Sequence, residues 1–331
     1  MGSTGARRAL GELTGEEKDP ATIPGVTTDP SVSVIVPAYR AQACLARCVE
    51  SLCSQEIGGT FEIIVVVSGD PDDDLGYAEA ISPDPRLDII VHRPRLSAAA
   101  GRNLGIGTAR GATLVFTDAD VVAEPGWLSA LVGATEARFC VAGAVVNGTP
   151  RSRAGTTEYL VEFLDLHPDR PPETIWHGAT CNLAVPRVLW ERYGPFFNSS
   201  SGRIGVSSED TTFTLRAAAD GCLVFCGAAR IRHMNRTRLR TVLEHQFALG
   251  RSNANLARDN PTYPYRGIVC RRWAAPLVVG ARWLSLWRRL LSWRIGLSPR
   301  ALGLSLHVGL ALGAWGYGLF KENRLLDELQ S

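Results

Sequence analysis

Apolar residues fall in short unbroken runs early in the chain, with helically spaced apolar stripes between them. Val32-Ser33-Val34-Ile35-Val36 is rich in β-branched residues and ends at Pro37, whose missing N–H stops ladder pairing, so it predicts a buried first strand. Runs at 63–67, 87–91 and 114–117 predict three more. After the first run, Leu45, Cys48, Val49, Leu52 and Cys53 form one stripe of a helix over 43–55, closed by Gly58-Gly59. Residues 97–109 are also compatible with a helix. This alternation predicts an α/β domain with a mainly parallel central sheet covered on both faces. Beyond residue 140 the rhythm is looser. Strands are expected at 141–146 and 180–185, then a helix opened by Glu209-Asp210 after Ser207-Ser208 and ending near Gly221, then short strands at 223–226 and 229–232.

At 331 residues, 45% apolar and 21% charged, the chain can bury a substantial core. A net charge of +2 does not suggest a nucleic-acid protein. Residues 1–30, rich in Gly, Thr, Pro and charge, read as a flexible leader. Eight cysteines lack the paired short spacings of zinc modules and read as reduced core residues; Cys222 and Cys226 alone make a poor metal site.

In a parallel sheet, ligands bind beyond the carboxyl ends of the strands, and the polar residues collect there. Tyr39 follows the first strand, Ser68-Gly69-Asp70 the second, and Asp118-Ala119-Asp120 the fourth. Two carboxylates one residue apart offer hard oxygen ligands with which Mg²⁺ or Mn²⁺ could bridge a diphosphate, although the same pair also suits a solvated loop. Arg102 and Asn103 stand near a helix start, where a guanidinium can pair with phosphate, or where the helix simply packs through Leu104 and Ile106. Glu209-Asp210 reads equally as acid–base chemistry or as dipole-complementing acids. Trp176 can stack on a sugar or fill core. Gly105-Ile-Gly107-Thr-Ala-Arg-Gly111 is not a dinucleotide loop, because it has the wrong spacing, follows a helix and leads into a strand. Asn147, Asn198 and Asn235 lie in glycosylation-type triplets.

Taken in order, these motifs resemble an inverting family 2 glycosyltransferase of the A-type, nucleotide-diphospho-sugar transferase fold. The resemblance rests on Val-Ser-Val-Ile-Val-Pro-Ala-Tyr at 32–39, Gly-Arg-Asn-Leu-Gly-Ile at 101–106, Val-Phe-Thr-Asp-Ala-Asp at 115–120, Gly-Ala-Thr-Cys-Asn at 178–182, Ser-Glu-Asp-Thr at 208–211 and Ile-Arg-His at 231–233. It covers roughly residues 30–255. It implies a catalytic domain over 31–258, with a nucleotide-binding half at 31–128 and an acceptor half at 129–258. It implies binding of a nucleoside-diphosphate sugar by Pro37, Tyr39, Ser68, Asp70, Arg102, Asn103 and Asp118, and a divalent metal (Mn or Mg) held by Asp118, Asp120 and His233. Asp210 would be the base that deprotonates the acceptor, with Trp176, His177 and Glu209 on the acceptor side. The pattern departs where the family usually has two aspartates after the second strand. Here stand Val67 and Ser68, which leaves the nucleobase open. A nucleotide-sugar-binding protein without transferase activity is the alternative.

The C-terminal part is chemically different. Eight arginines and no acid lie between Arg266 and Arg300. On a helix, Trp283, Leu286, Trp287, Leu290 and Leu291 oppose Arg282, Arg288 and Arg289, which predicts interfacial helices over 259–300. Residues 301–320 carry no formal charge apart from His307 and match the ~20 needed to cross a bilayer, with 321–331 as a tail. The arginine block then predicts a membrane-associated protein with its catalytic domain in the cytoplasm and a lipid-linked or glycan acceptor. Helices packed on the domain or on a partner chain are the other reading. Gly309 and Gly313 have helix-dimer spacing, which leaves a homo-oligomer open.

Overall fold

The continuous apolar runs form the centre of one eight-stranded sheet. A computed structural model describes residues 30–81, 83–135, 138–171, 175–196, 209–293 and 303–329; the leader up to residue 29, Asn198 and the Ser207-Ser208 pair lie outside them. Strands β1 (Val32–Tyr39), β2 (Phe61–Ser68), β3 (Leu87–His92) and β4 (Thr113–Thr117) are followed by β5 (Val121–Ala123), β6 (Cys140–Asn147), β7 (Asn182–Pro186) and β8 (Leu223–His233). They lie in the order β3-β2-β1-β4-β7-β6-β8-β5. β2 is buried along its whole length and β1 along most of it, whereas edge strand β3 is half-exposed. That is the burial expected of central and edge strands.

The sheet is mixed rather than mainly parallel. β3, β2, β1 and β4 pair in parallel, but β7 runs antiparallel to both β4 and β6, and β5 runs antiparallel to β8. An apolar run reports burial on both faces and carries no information on strand direction, so the second half was open to this error. The two short strands expected at 223–226 and 229–232 are one strand, β8, parallel to β6 with a register shift between Gly143 and Ala144. Asn182 stitches that irregularity. Its Nδ2 donates to Ala144 O and Ala229 O, both at 2.9 Å, while its Oδ1 accepts from Trp127 Nε1 at 2.8 Å.

Helices cover the sheet as the stripes predict. α1 (Leu45–Cys53) buries Leu45, Cys48, Val49 and Leu52, and Cys53 packs partly buried against the same core. α2 (Ala98–Thr108) is capped by Ser97 Oγ, which accepts from Ala100 N–H at 3.1 Å. Gly105 lets this helix lie close on the sheet, since a Cβ there would sit 2.7 Å from Ile35 Cγ2. α3 (Trp127–Gly133), α4 (Arg153–Glu162) and α5 (Arg187–Tyr193) precede α6 (Glu209–Ala219) and the long α7 (Leu239–Asp259). All eight cysteines are free thiols.

The C-terminal helices pack on the domain. α8 (Arg266–Val269) and α9 (Ala275–Ser292) lead to a last helix, Ser305–Glu328. This last helix crosses α7 at near backbone contact. A Cβ on Gly250 would lie 1.9 Å from Trp315 O, and one on Gly318 would lie 2.1 Å from Phe247 O. Glu322, buried, accepts from Arg251 Nε at 2.6 Å and Asn255 Nδ2 at 3.2 Å. Among the described residues no helix is long and apolar enough to cross a membrane. From residue 305 onward, the expected span at 301–320 is instead part of a helix with one face spent on protein. The expected interfacial face of α9 is also turned inward. Leu286 and Leu290 are buried, Trp283 and Trp287 pack against the core, and only Leu291 of that set is exposed.

Candidate active site

Strand ends and helix starts converge on one crevice. β4 delivers Asp118, and the turn into β5 delivers Asp120. Antiparallel pairing of β5 with β8 sets Val121 opposite His233, and Met234 N–H donates to Asp120 O at 2.8 Å. As a result, ligand atoms of Asp118, Asp120 and His233 lie within 4.8 Å of one another. His233 Nε2 is 3.6 Å from Asp120 Oδ1. Two carboxylates and an imidazole fit a divalent cation that prefers oxygen with some nitrogen.

Asn235 fixes the other side of this imidazole. Its Nδ2 faces acceptors, His233 O at 3.2 Å and Asn147 Oδ1 at 3.1 Å, so its Oδ1 is the atom that meets His233 Nδ1 at 3.1 Å. Nδ1 must then carry the proton, which points the Nε2 lone pair of a neutral ring toward the two aspartates. Burial works against the imidazolium, but Asp120, Asp118, Glu162 and Glu158 outweigh it and raise the His233 pKa. Asn235 is itself buried and bonded, which removes its triplet as a modification site in the folded chain.

Arg102 does not face an open phosphate site. It is 3% exposed and holds Asp118 Oδ1 at 2.5 Å with one guanidinium nitrogen and Glu209 Oε1 at 2.6 Å with the other. This clamps the end of β4 to the first turn of α6. Glu209 is accordingly buried, facing Arg102 rather than an acceptor. Asn103 likewise pairs with the backbone of Phe196, donating from Nδ2 to its carbonyl at 2.8 Å and accepting its N–H at 3.2 Å. Both residues sit in α2 and spend these hydrogen bonds on the fold, which leaves Arg102 Nε buried without a partner.

Asp210 follows Glu209 and accepts from Thr211 N–H at 2.6 Å and, more weakly, from Thr180 N–H at 3.5 Å. Burial raises its pKa, with Arg102 opposing. His177 lies nearby, its pKa pushed down to about 4 by burial, with Nε2 3.6 Å from Asp165 Oδ2. Trp176 is partly exposed, its ring 4.1 Å from that of His177 and 6.3 Å from that of Tyr263.

At the other end of the crevice, Tyr39 Oη donates to Asp70 Oδ2 at 3.2 Å, and the Arg95 guanidinium stacks 3.9 Å from the Tyr39 ring centroid. Ser68 is buried, and its Oγ accepts Leu96 N–H at 3.2 Å. Half-exposed Asp70 is therefore more accessible than Ser68. Pro37 lies under α2, 3.3 Å from where a Cβ on Gly101 would be. Asn235, Arg95 and Asp165 are the neighbours that sequence reasoning missed. Only Asn235 left a signal, two residues beyond His233.

A parallel β3-β2-β1-β4 half continued by an antiparallel β7, with acids at the strand ends, is the nucleotide-diphospho-sugar transferase fold. Residues 33–187 match the family model of glycosyl transferase family 2, and this part of the chain is a family 2 glycosyltransferase domain. The glycosyltransferase AglE of Haloferax volcanii is 27% identical over 198 residues, 59% of this chain and 64% of that protein. The succinoglycan biosynthesis protein ExoO of Rhizobium meliloti is 32% identical over 114 residues, covering 34% and 32% of the two chains. The chain thus spans less than two thirds of the length of these relatives. Among solved structures, the mannosyltransferase PcManGT of Pyrobaculum calidifontis, in complex with GDP-Man and Mn²⁺, superposes with a TM-score of 0.55 over 90% of this chain and 89% of that one. At 18% identity the likeness is one of fold.

Proposed function

We propose that this protein is an inverting, metal-dependent glycosyltransferase that moves a sugar from a nucleoside-diphosphate sugar to a lipid-linked or glycan acceptor at the cytoplasmic face of a membrane. The observation that carries this reading is the meeting, across the Arg102 bridge, of an Asp118–Asp120–His233 cluster with Asp210. Asp118, Asp120 and His233 would hold a Mn²⁺ or Mg²⁺ ion, which supplies Lewis-acid compensation for the diphosphate leaving group. The nucleoside end of the donor would lie along Tyr39 and Asp70, with Pro37 and Ser68 shaping the floor. Arg102 and Asn103 act by positioning, since their hydrogen bonds go to the protein.

Asp210 is suited to take the acceptor hydroxyl proton. Its raised pKa makes the carboxylate a better base than an ordinary aspartate, and Thr211 and Thr180 hold its oxygens in place. Trp176 and His177 stand beside it, and the partly exposed indole offers a face on which a sugar can stack. Release of nucleoside diphosphate from a panel of nucleotide sugars, with Mn²⁺ or with chelator, tests the reading. Asp120→Ala is expected to lose metal-stimulated turnover. Turnover that needs no metal and survives Asp120→Ala would sink the metal-dependent mechanism.

A further inference from the structure

The helices after residue 260 carry apolar residues on two faces, and the domain uses only one. The inner face of α9 is tied down by polar contacts as well as packing: Arg282 donates to Val161 O at 3.2 Å and stacks 4.2 Å from the Trp315 ring, and Arg289 pairs with Asp165. On the outer face Leu277, Leu284 and Leu291 recur every seventh residue at 63%, 64% and 63% exposure, with exposed Arg288 between the last two. The C-terminal helix repeats the pattern. Leu306, Leu310, Tyr317 and Phe320 are exposed at spacings of four, seven and three, while Val308, Leu312, Trp315 and Leu319 are buried. Trp273 and Tyr265 stand exposed just before α9. Exposed large apolar residues at this density mark an interaction site.

We propose that this outer face docks on the surface of an anionic lipid bilayer, lying on it without crossing it, and presents the acceptor side of the crevice to the membrane. The inference deepens the transferase reading and rests on it for the identity of the acceptor. Charge decides the occupant. No Asp or Glu stands between Asp259 and Glu322; exposed Arg288 lies on the acid-free α9, and exposed Arg271 and Arg272 line a pocket in which four arginines outnumber Asp259 and Asp327. Leucines interleaved with arginines, flanked by exposed Trp and Tyr, match the interfacial zone of an anionic leaflet. A symmetric second copy packed through α9 would bring its arginines toward each other with no acid on that helix to offset them.

Continuity with the site argues the same way. Arg289 of α9 holds Asp165, which stands 3.6 Å from His177, and the Trp176 ring meets Tyr263, two residues before exposed Tyr265. The surface and the acceptor side are thus parts of one packed unit. An acceptor carried on a lipid would reach Asp210 from the bilayer without leaving it.

Co-sedimentation of the full chain with vesicles of phosphatidylcholine alone, or mixed with phosphatidylglycerol, tests the proposal. Binding is expected only to the anionic vesicles, weakening in high salt as the charges are screened. The double variant Leu277→Glu with Leu284→Glu should bind about tenfold or more weakly, because charge enters the apolar layer. Arg271→Glu with Arg272→Glu should lose the preference for anionic vesicles, which tests charge independently of the leucine stripe. Absence of vesicle binding by the wild-type chain, or undiminished binding by both double variants, overturns the proposal. So does a dimer in light scattering that Leu284→Glu splits while vesicle binding persists. Nucleoside-diphosphate release measured without vesicles separates the two readings: it should be equal in wild type and variants. A wild-type chain that docks but releases none from any donor leaves the docking standing and removes the transferase.

Discussion

The two sides of the crevice are built in opposite ways. On the Asp118–Asp120–His233 side, two part-exposed carboxylates favour protonation of an imidazole, and among the described residues no Lys or Arg pairs with Asp120. On the Arg102–Glu209–Asp210 side, a buried guanidinium is shared between two carboxylates and the third is held by backbone N–H groups. The first side has charge left over for a ligand to neutralise. The second neutralises itself and spends its electrostatics on geometry. A group that binds from outside must stay uncompensated and accessible, whereas a group that positions another must be satisfied and buried.

Substitutions should separate these designs. The largest effect is expected from Asp210→Asn, which keeps the shape but removes the proposed base; kcat should fall by roughly 10²–10⁴-fold with donor affinity retained. Donor binding measured calorimetrically beside turnover checks this. Because the Asp210 pKa is raised and the ionised form is the base, activity should rise with pH through that raised value. The acidic limb of kcat/KM should lie above the ordinary aspartate range.

Arg102→Met should cost about 3–5 kcal/mol of stability, since it takes the guanidinium away from the buried Glu209 carboxylate. Losing the nearby cation should also move the acidic limb of the profile to still higher pH. Denaturant unfolding and a pH–rate series read the two effects. Asp120→Ala should do the reverse, leaving the midpoint nearly unchanged while metal binding is lost. Equal destabilisation by both would break the contrast between the two sides.

His177 offers a smaller test. Its pKa is pushed down to about 4 from an unfolded value near 6.5, so the unfolded chain takes up the proton first as pH falls. The stability this neutral histidine confers is complete above pH ~6.5 and is lost on acidification toward pH 4, up to about 3 kcal/mol. His177→Gln should flatten that part of the stability curve. Smaller still, Asn235→Leu should weaken Mn²⁺ affinity about 10–100-fold by calorimetry, because His233 loses the partner that sets its tautomer. Unchanged affinity would place His233 outside the metal shell.

What was legible in the chain follows from range. β2, β4, α1 and α2 sit within one or two residues of where apolar spacing and the Ser97 cap put them, because burial and capping are local demands, whereas β1 runs past Pro37 to Tyr39, paired in register with β2. Asp118, Asp120 and Asp210 were legible through strand ends and motif order. The contacts of Arg102 were not. A guanidinium near a helix start looks the same whether it meets a phosphate or a glutamate 107 residues away. Asn235 carried no chemistry of its own until the structure set it against His233 Nδ1.

The C-terminal segment shows the limit most clearly. Its sequence determined helices, a one-signed charge block and more apolar surface than one helical face needs. Which face turned inward was settled only by the close crossing at Gly250 and Gly318 and by the partners of Arg251, Arg282 and Arg289 on other elements. Periodicity records that a helix has an apolar side. With two such sides, the choice between them is made by the shape and polarity of the surface it meets, which is a property of the assembled fold.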